Sequence, residues 1–253
     1  MVLEPTGIVP DTHRPYHDKT AWALFLTVMQ ALKPKRLICI GDFADFYSVS
    51  SHSKDPSRAL RLEEELEDIH TGFDELDALG AKHKQFIAGN HCDRLTRYLQ
   101  DKAPALHSVV GIPELFRLKQ RGWGYTPYKN SYQLGKVHFT HDVEVAGRNA
   151  TFKALDTYQH SVITGHAHRL QYIVEGNATG EQKLAAQFGW LGDADQVDYM
   201  HKANVLKNWA LGFGIGYYAP KTGVLYATPV PILKSEKRLY SCVVNGHYYE
   251  VQG

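Results

Sequence analysis

Hydrophobic and polar positions alternate along this chain with two different periods, and the change of period marks its elements. Residues 7–9 form a short apolar strand that runs into Pro10 and Asp11, and residues 19–32 carry an apolar stripe at helical spacing, stopped by Pro34. Residues 36–40 (RLICI) are apolar without interruption, the pattern of a strand covered on both faces. Leu62, Leu66, Ile69, Phe73, Leu76 and Leu79 recur at spacings of three and four, which predicts a helix with Ser57 as its N-cap and Glu63, Glu64 and Glu65 on a solvated first turn. Further strands are predicted at 84–88, 136–140 and 161–164, and helices from 94 and over 151–159. After Gly223 the pattern becomes all β: VLYATPVPIL, RLYSCVV, then HYYEV beyond Asn245-Gly246, a hairpin signal.

Alternating βα units followed by antiparallel strands predict an α/β (α+β) fold, either one mixed sheet with helices outside or two sheets packed face to face. No repeat or linker divides the 253 residues, so one domain is expected over 1–253, with 178–219, neither clean helix nor clean strand, as an insertion or cap. A hydrophobic fraction of 43% and a charged fraction of 22% exclude a disordered, collagenous or coiled-coil chain. The longest apolar stretch, 21–32, is short of the roughly 20 residues that span a bilayer, and no basic-then-apolar leader opens the chain. Cys39, Cys92 and Cys242 lie far apart, as in a reducing compartment, so a cytoplasmic protein without membrane association is expected, in a host cytoplasm if phage-encoded. A net charge of +1 argues against gripping long duplex nucleic acid by charge alone. Nothing in the sequence sets the oligomeric state.

Histidine is abundant, with 14 residues, and its placement is informative. The strand at 7–9 leads to Asp11-Thr12-His13; RLICI ends at Gly41-Asp42; KQFIA ends at Gly89-Asn90-His91; VHFT ends at His141; SVIT ends at Gly165-His166-Ala167-His168. Ligand sites in α/β sheets form at the carboxyl ends of strands. Any one of these endings is an ordinary cap or turn; five in succession deliver eight Asp, Asn and His groups to one rim. That exceeds the needs of one zinc ion and fits a pair of cations about 3.5–4 Å apart sharing a carboxylate. Oxygen and nitrogen donors without thiolate suit Mn²⁺, Fe or Zn²⁺, not Cu(I) or Ca²⁺. Glycine before Asp42, Asn90 and His166 is expected to let the backbone turn tightly.

This ordered series, from Asp11-x-His13 to Gly165-His166-Ala167-His168, resembles the calcineurin-like metallophosphoesterase superfamily, and the flanking text (DTHRPYHD, GDFADFYSVSSH, NWALGFGIGYY) resembles short phosphoesterases of bacteriophage. The resemblance implies a two-sheet sandwich flanked by helices (αββα). It assigns Asp11, His13, Asp42 and His168 to a first cation and Asp42, Asn90, His141 and His166 to a second, with Asp42 as the bridge. Mn²⁺ is favoured, with Zn²⁺, Fe and Mg²⁺ as alternatives. Hydroxide held between the metals would attack phosphorus in line, with Asp42 and Asn90 in the catalytic set and His91, not a ligand, as general acid to the leaving alkoxide. One departure concerns His91: the family often has Asp or Glu next, where this chain has Cys92, read as a packed residue. Asp45 is a candidate substitute partner.

Arg14, His17, Arg94 and Arg169 adjoin the motifs and are candidate substrate-binding residues, Arg94 and Arg169 foremost, because a guanidinium fork matches phosphate oxygens. Asp18 adjoins them too, and Asp142 is either a partner of a ligand imidazole or a turn carboxylate. Two aromatic and basic stretches, 117–136 and 178–219, could select a substrate by stacking single-stranded bases or could be packing. The expected activity is hydrolysis of a phosphate ester, favoured as a phosphodiester of a nucleotide or of DNA or RNA ends or single strands. A phosphomonoesterase or phosphoprotein phosphatase is the alternative, and a silent scaffold the remote one.

Overall fold

A computed structural model describes residues 2–52, 54–55, 60–196 and 209–253. The chain runs through β1 (Glu4–Val9), α1 (Lys19–Leu32), β2 (Arg36–Cys39), α2 (Leu62–Asp77), β3 (His83–Ile87), α3 (Cys92–Lys102) and a single helical turn α4 (Ile112–Leu115). It continues through β4 (Trp123–Thr126), β5 (Tyr132–Leu134), β6 (Val137–Thr140), α5 (Ala150–Tyr158) and β7 (Ser161–Thr164). The rest is strand: β8 (Leu170–Gly176), β9 (Gln182–Phe188), β10 (Gly212–Ala219), β11 (Val224–Pro231), β12 (Leu233–Lys234), β13 (Leu239–Val244) and β14 (His247–Gln252). One six-stranded sheet has the order β11-β10-β1-β2-β3-β4, a five-stranded sheet the order β5-β6-β7-β9-β8, and β12-β13-β14 form a small third sheet. Strands β1 to β4 are parallel, as are β6, β7 and β9, while β5, β8, β10 and β11 run antiparallel to their neighbours.

Strand alternation sets the layers. In β2, Leu37 and Cys39 enter a cluster with Phe25, Val28 and Phe73 of α1 and α2, whereas Ile38 and the following Ile40 pack with Phe139, Ile163 and Phe188 of the second sheet. The uninterrupted RLICI run is therefore core on both faces, and each large side chain buried there contributes roughly 1.5–3 kcal/mol. The far face of the second sheet is covered by α5 through Ala154, Leu155, Val162 and Ala185. The result is two mixed sheets packed face to face between helices, as expected. Helix α1 is covered on its outer side by the third sheet, and its N-cap Asp18 accepts from the backbone of Thr20 and Ala21 and from the Tyr240 hydroxyl.

Of residues 178–219, expected as an insertion or cap, the described part supplies β9 and β10, internal strands of the two sheets. Their pattern is obscured because neighbouring side chains fill the space at their glycines. A Cβ on Gly214 would lie 2.5 Å from the Phe188 ring and one on Gly216 would lie 2.9 Å from Leu225, so glycine stands where an apolar residue would otherwise show the alternation. Tyr199, His201, Lys202 and Lys207 of this stretch, like the Ser57 N-cap, lie outside the described residues. Part of the 117–136 stretch is packing. Trp123 is buried beside Phe73 and donates to Asp77, and Arg121 pairs with Asp74 and Asp77. No helix among the described residues is long and apolar enough to cross a membrane.

The first turn of α2 departs from its solvated reading at Glu65, which is fully buried. One carboxylate oxygen accepts from the backbone of Ser48 at 2.7 Å and the other has no partner. Burial pushes its pKa up from 4.5 to about 7. Above pH 7 the carboxylate is ionised in both the folded and the unfolded chain, and the fold bears the full desolvation cost; below about 4.5 it is protonated in both and the cost vanishes. Glu65→Gln is therefore expected to stabilise the protein by about 1–3 kcal/mol at pH 8, the gain shrinking through pH 7 and disappearing near pH 4.5. Urea unfolding at both ends of that range measures it, and a pH-independent difference would show that Glu65 does not titrate with folding.

Candidate metal centre

The carboxyl ends of β1, β2, β3, β6 and β7 meet at one end of the sandwich and carry the five motifs. The loop after β1 is tied to the loop after β2, because the backbone oxygen of Asp42 accepts from the amides of both Thr12 and His13. Asp42 Oδ1 accepts from the backbone of His91 at 2.8 Å, and Asp11 Oδ2 from that of His166 at 2.9 Å, so two carboxylates pin the loops after β3 and β7. His13, Asp42, His166 and His168 all have left-handed backbones, with φ of 54°, 40°, 66° and 54°. Such conformations cost about 1–3 kcal/mol each and survive where the surroundings impose them, which is common at functional sites.

Glycine serves this rim in two ways. Gly41 has φ +106°, the tight turn expected of it. Gly89 and Gly165 are needed for space: a Cβ on Gly89 would run into Asp42 Oδ1, and one on Gly165 would lie 2.5 Å from Asp11 Oδ1.

The side chains converge in two adjoining groups. In the first, His168 Nε2 lies 3.0 Å from Asp11 Oδ2 and 3.1 Å from His13 Nε2. In the second, His141 Nε2 lies 3.1 Å from Asp42 Oδ2, and Asn90 Oδ1 is 2.9 Å from both His141 Nε2 and His166 Nδ1. Donors bound at 2.0–2.2 Å to one cation sit about 3.0–3.4 Å apart, so these spacings are those of coordination polyhedra. The donor chemistry fits too. Asp11 and Asp42 are almost completely buried, with Asp11 Oδ1 lacking any hydrogen-bond partner. Despite the opposing effect of burial, the two carboxylates raise the His141 pKa to about 10. This is a pocket of negative charge seeking cations. His141 Nδ1 faces the Ile40 carbonyl at 2.9 Å, which directs Nε2 into the site. Indole rings wall the first group: Trp190 stacks on His168 at 4.9 Å and Trp209 meets it edge-on at 4.1 Å.

His91 stands beside these groups. Its Nδ1 lies 3.1 Å from Asp45 Oδ2, which is also 3.3 Å from His13 Nδ1. Arg94 donates from Nη1 to Asp45 Oδ1 at 2.8 Å, and its Nη2 lies 3.1 Å from His91 Nε2. Asp45 thus supplies the carboxylate that Cys92 does not; its histidine and arginine neighbours hold its pKa far below the usual range despite burial. Cys92 is buried at the start of α3, and burial drives its thiol pKa upward, the opposite of a nucleophile.

Two substrate-binding expectations are corrected. Arg14 is buried beneath the rim, with Nη1 2.8 Å from Asp68, Nη2 3.2 Å from Glu75 and its guanidinium over Trp22. His17 sits in the same network, 3.8 Å from Asp68, its pKa lowered to about 4 by burial and by Arg14. Both brace α2 and neither is among the clustered ligands. Asp142 is a turn carboxylate, accepting from the Tyr128 hydroxyl and the Glu144 amide.

No family model matches the chain. The Gene 54 protein of Mycobacterium phage D29 is 27% identical over 230 residues, covering 82% of this chain and 86% of that protein. Among solved structures, Vps29 of Chaetomium thermophilum aligns over 99% of this chain and 97% of its own, with a TM-score of 0.50 and 11% identity. Vacuolar Protein Sorting 29 of Cryptosporidium parvum covers the same shares with a TM-score of 0.48 and 14% identity. The likeness is one of fold, two mixed sheets packed between helices as in Vps29, and this chain carries at one end of that fold clustered His and Asp groups that could hold metal.

Proposed function

We propose that this protein is a dinuclear metal-dependent phosphoesterase that cleaves phosphodiesters of nucleotides or nucleic acid, with Mn²⁺ as the favoured metal. The observation that carries the reading is the juxtaposition of two donor groups with an imidazole braced by a carboxylate and a guanidinium: Asp11-His13-His168 and Asp42-Asn90-His141-His166 beside Asp45-His91-Arg94. The first group with Asp42 would hold one cation and the second the other, with Asp42 shared. Cations there supply positive charge to phosphate oxygens and bring the pKa of an attacking water toward neutrality.

The chain's own residues do the rest. Arg94 Nη2, now against His91 Nε2, is placed to turn to an incoming phosphate oxygen. That frees Nε2 to take a proton, which the anionic substrate favours. The Asp45 carboxylate, 3.1 Å from Nδ1, favours the protonated imidazole, and Nε2, the nitrogen that faces Arg94, is the atom that delivers the proton to the departing alkoxide. The indoles of Trp190 and Trp209 exclude water from the first group's flank.

The test compares bis(p-nitrophenyl) phosphate with p-nitrophenyl phosphate on Mn²⁺-loaded protein, with His91→Asn as the blank. Faster diester cleavage is expected. Faster monoester cleavage would favour a phosphatase acting on nucleotides or phosphoproteins. Turnover of neither above the blank, with two metals bound, would make the protein a silent scaffold.

A further inference from the structure

Beside the candidate metal centre lie two cations that have no counter-ion among the described residues. Arg169 directly follows His168, whose imidazole is in the centre, and leads into β8; its guanidinium lies within the electrostatic reach of Arg148, on the loop that links His141 to α5. Gln171, on the same face as Arg169 two residues on, donates from Nε2 to the backbone oxygen of Arg148 at 3.1 Å and is itself anchored by the Thr151 hydroxyl. The Gln171 bridge brings Arg148, at the end of that loop, alongside Arg169. Arg169 is half-buried, and its Nε is shielded from solvent without a hydrogen-bond partner; Arg148 is exposed. Among the described residues neither guanidinium has an ion-pair partner. The carboxylates of the loop are engaged elsewhere, Asp142 with Tyr128 and Glu144 with Lys129. The charge that acts on Arg169 is that of Arg148, with no carboxylate to offset it.

Two neighbouring unpaired guanidiniums call for an anion, and a phosphate offers oxygens matching each planar fork. The pair adjoins a site read as cleaving a phosphodiester, with Arg169 one residue from His168. We propose that Arg148 and Arg169 form an exosite for a phosphate flanking the scissile one, so that the substrate is a single-stranded nucleic acid carrying successive phosphates, not an isolated ester. The proposal rests on the phosphoesterase reading for its scissile phosphate. Charge confined to two arginines also agrees with a chain whose net charge is only +1.

The experiment measures binding of a fluorescein-labelled thymidine 12-mer to full-length, Mn²⁺-loaded His91→Asn protein as salt is raised. Arg148→Gln and Arg169→Gln are added singly and together, with Arg169→Lys as the charge-preserving control. Each lost contact to a single-strand phosphate should reduce the slope of log K against log salt by about 0.7, so the double change lowers it by about 1.4. Arg169→Lys should keep the parent slope, which a merely structural role for Arg169 would not predict. A parent that does not bind the 12-mer, or a double variant with the parent slope, overturns the exosite. Hydrolysis of bis(p-nitrophenyl) phosphate by the unaltered protein is read separately. Its absence alongside a shifted slope sinks the phosphoesterase reading and leaves the exosite standing, and turnover with an unshifted slope does the reverse.

Discussion

Asp42→Asn is expected to leave the purified protein without its pair of cations and to lower phosphoester hydrolysis by more than about 10³-fold, because electrostatic stabilisation worth several kcal/mol is lost from the transition state. The substitution is nearly isosteric. An amide oxygen could still accept from the His91 backbone, as Asp42 Oδ1 does at 2.8 Å, and the Asp42 carbonyl that ties down Thr12 and His13 is untouched. What disappears is charge: of the two buried carboxylates in the two proposed coordination groups, Asp11 alone would face two divalent cations. The same loss removes the largest influence raising the His141 pKa. Metal analysis after dialysis, beside a thermal melt to establish folding, separates these effects. Two equivalents still bound to a folded variant would refute Asp42 as the shared ligand.

The centre was legible in the sequence for a physical reason. Each motif sits where a strand stops, and strands are the elements that short apolar runs reveal best. The residues flanking the motifs were much less legible, and Arg14 shows why. His13 and Arg14 are neighbours in sequence, but the loop pairs with the segment after β2, Arg14 donating to Phe43 and accepting from Asp45. The left-handed turn at His13 and this pairing send consecutive side chains to opposite sides. One joins the cluster and the other enters the core under α2. Arg94 lies on a helix three residues from His91, and there the spacing places both side chains on one face.

The illegible parts of the fold share a cause. Strands β4 and β5 are three or four residues long, β9 and β10 have their alternation filled by glycine, alanine or tyrosine, and β8 buries none of its residues. Their identity comes from what packs against them: β10 carries glycine because Phe188 and Leu225 occupy the space a side chain would take. Periodicity in one strand cannot report the bulk of a neighbour far away in the sequence. The Trp190 and Trp209 wall escaped notice for the same reason. The aromatic content of the stretch was visible, but its contact with His168 arises only when β9, β10 and the loop after β7 are assembled.

His91→Asn is expected to retain both cations while kcat falls by about 10²–10⁴, the range a general acid supplies. His91 lies outside the two proposed coordination groups, which explains the retained metal. Asp45→Asn should also lower kcat, by acting through the imidazole it holds at 3.1 Å, and should in addition weaken the first cation, since the same oxygen lies 3.3 Å from His13 Nδ1. The two changes should not multiply. Once His91 is gone, Asp45 has no proton donor to orient, so the double variant should turn over about as slowly as His91→Asn alone when measured with saturating Mn²⁺. The cycle needs four proteins, one diester substrate and a metal count for each. Full multiplicativity would mean that Asp45 serves the metal site and not the imidazole. Unchanged turnover in His91→Asn would take the histidine out of the chemistry and leave Arg94, 2.8 Å from Asp45, as the group for which that carboxylate is placed.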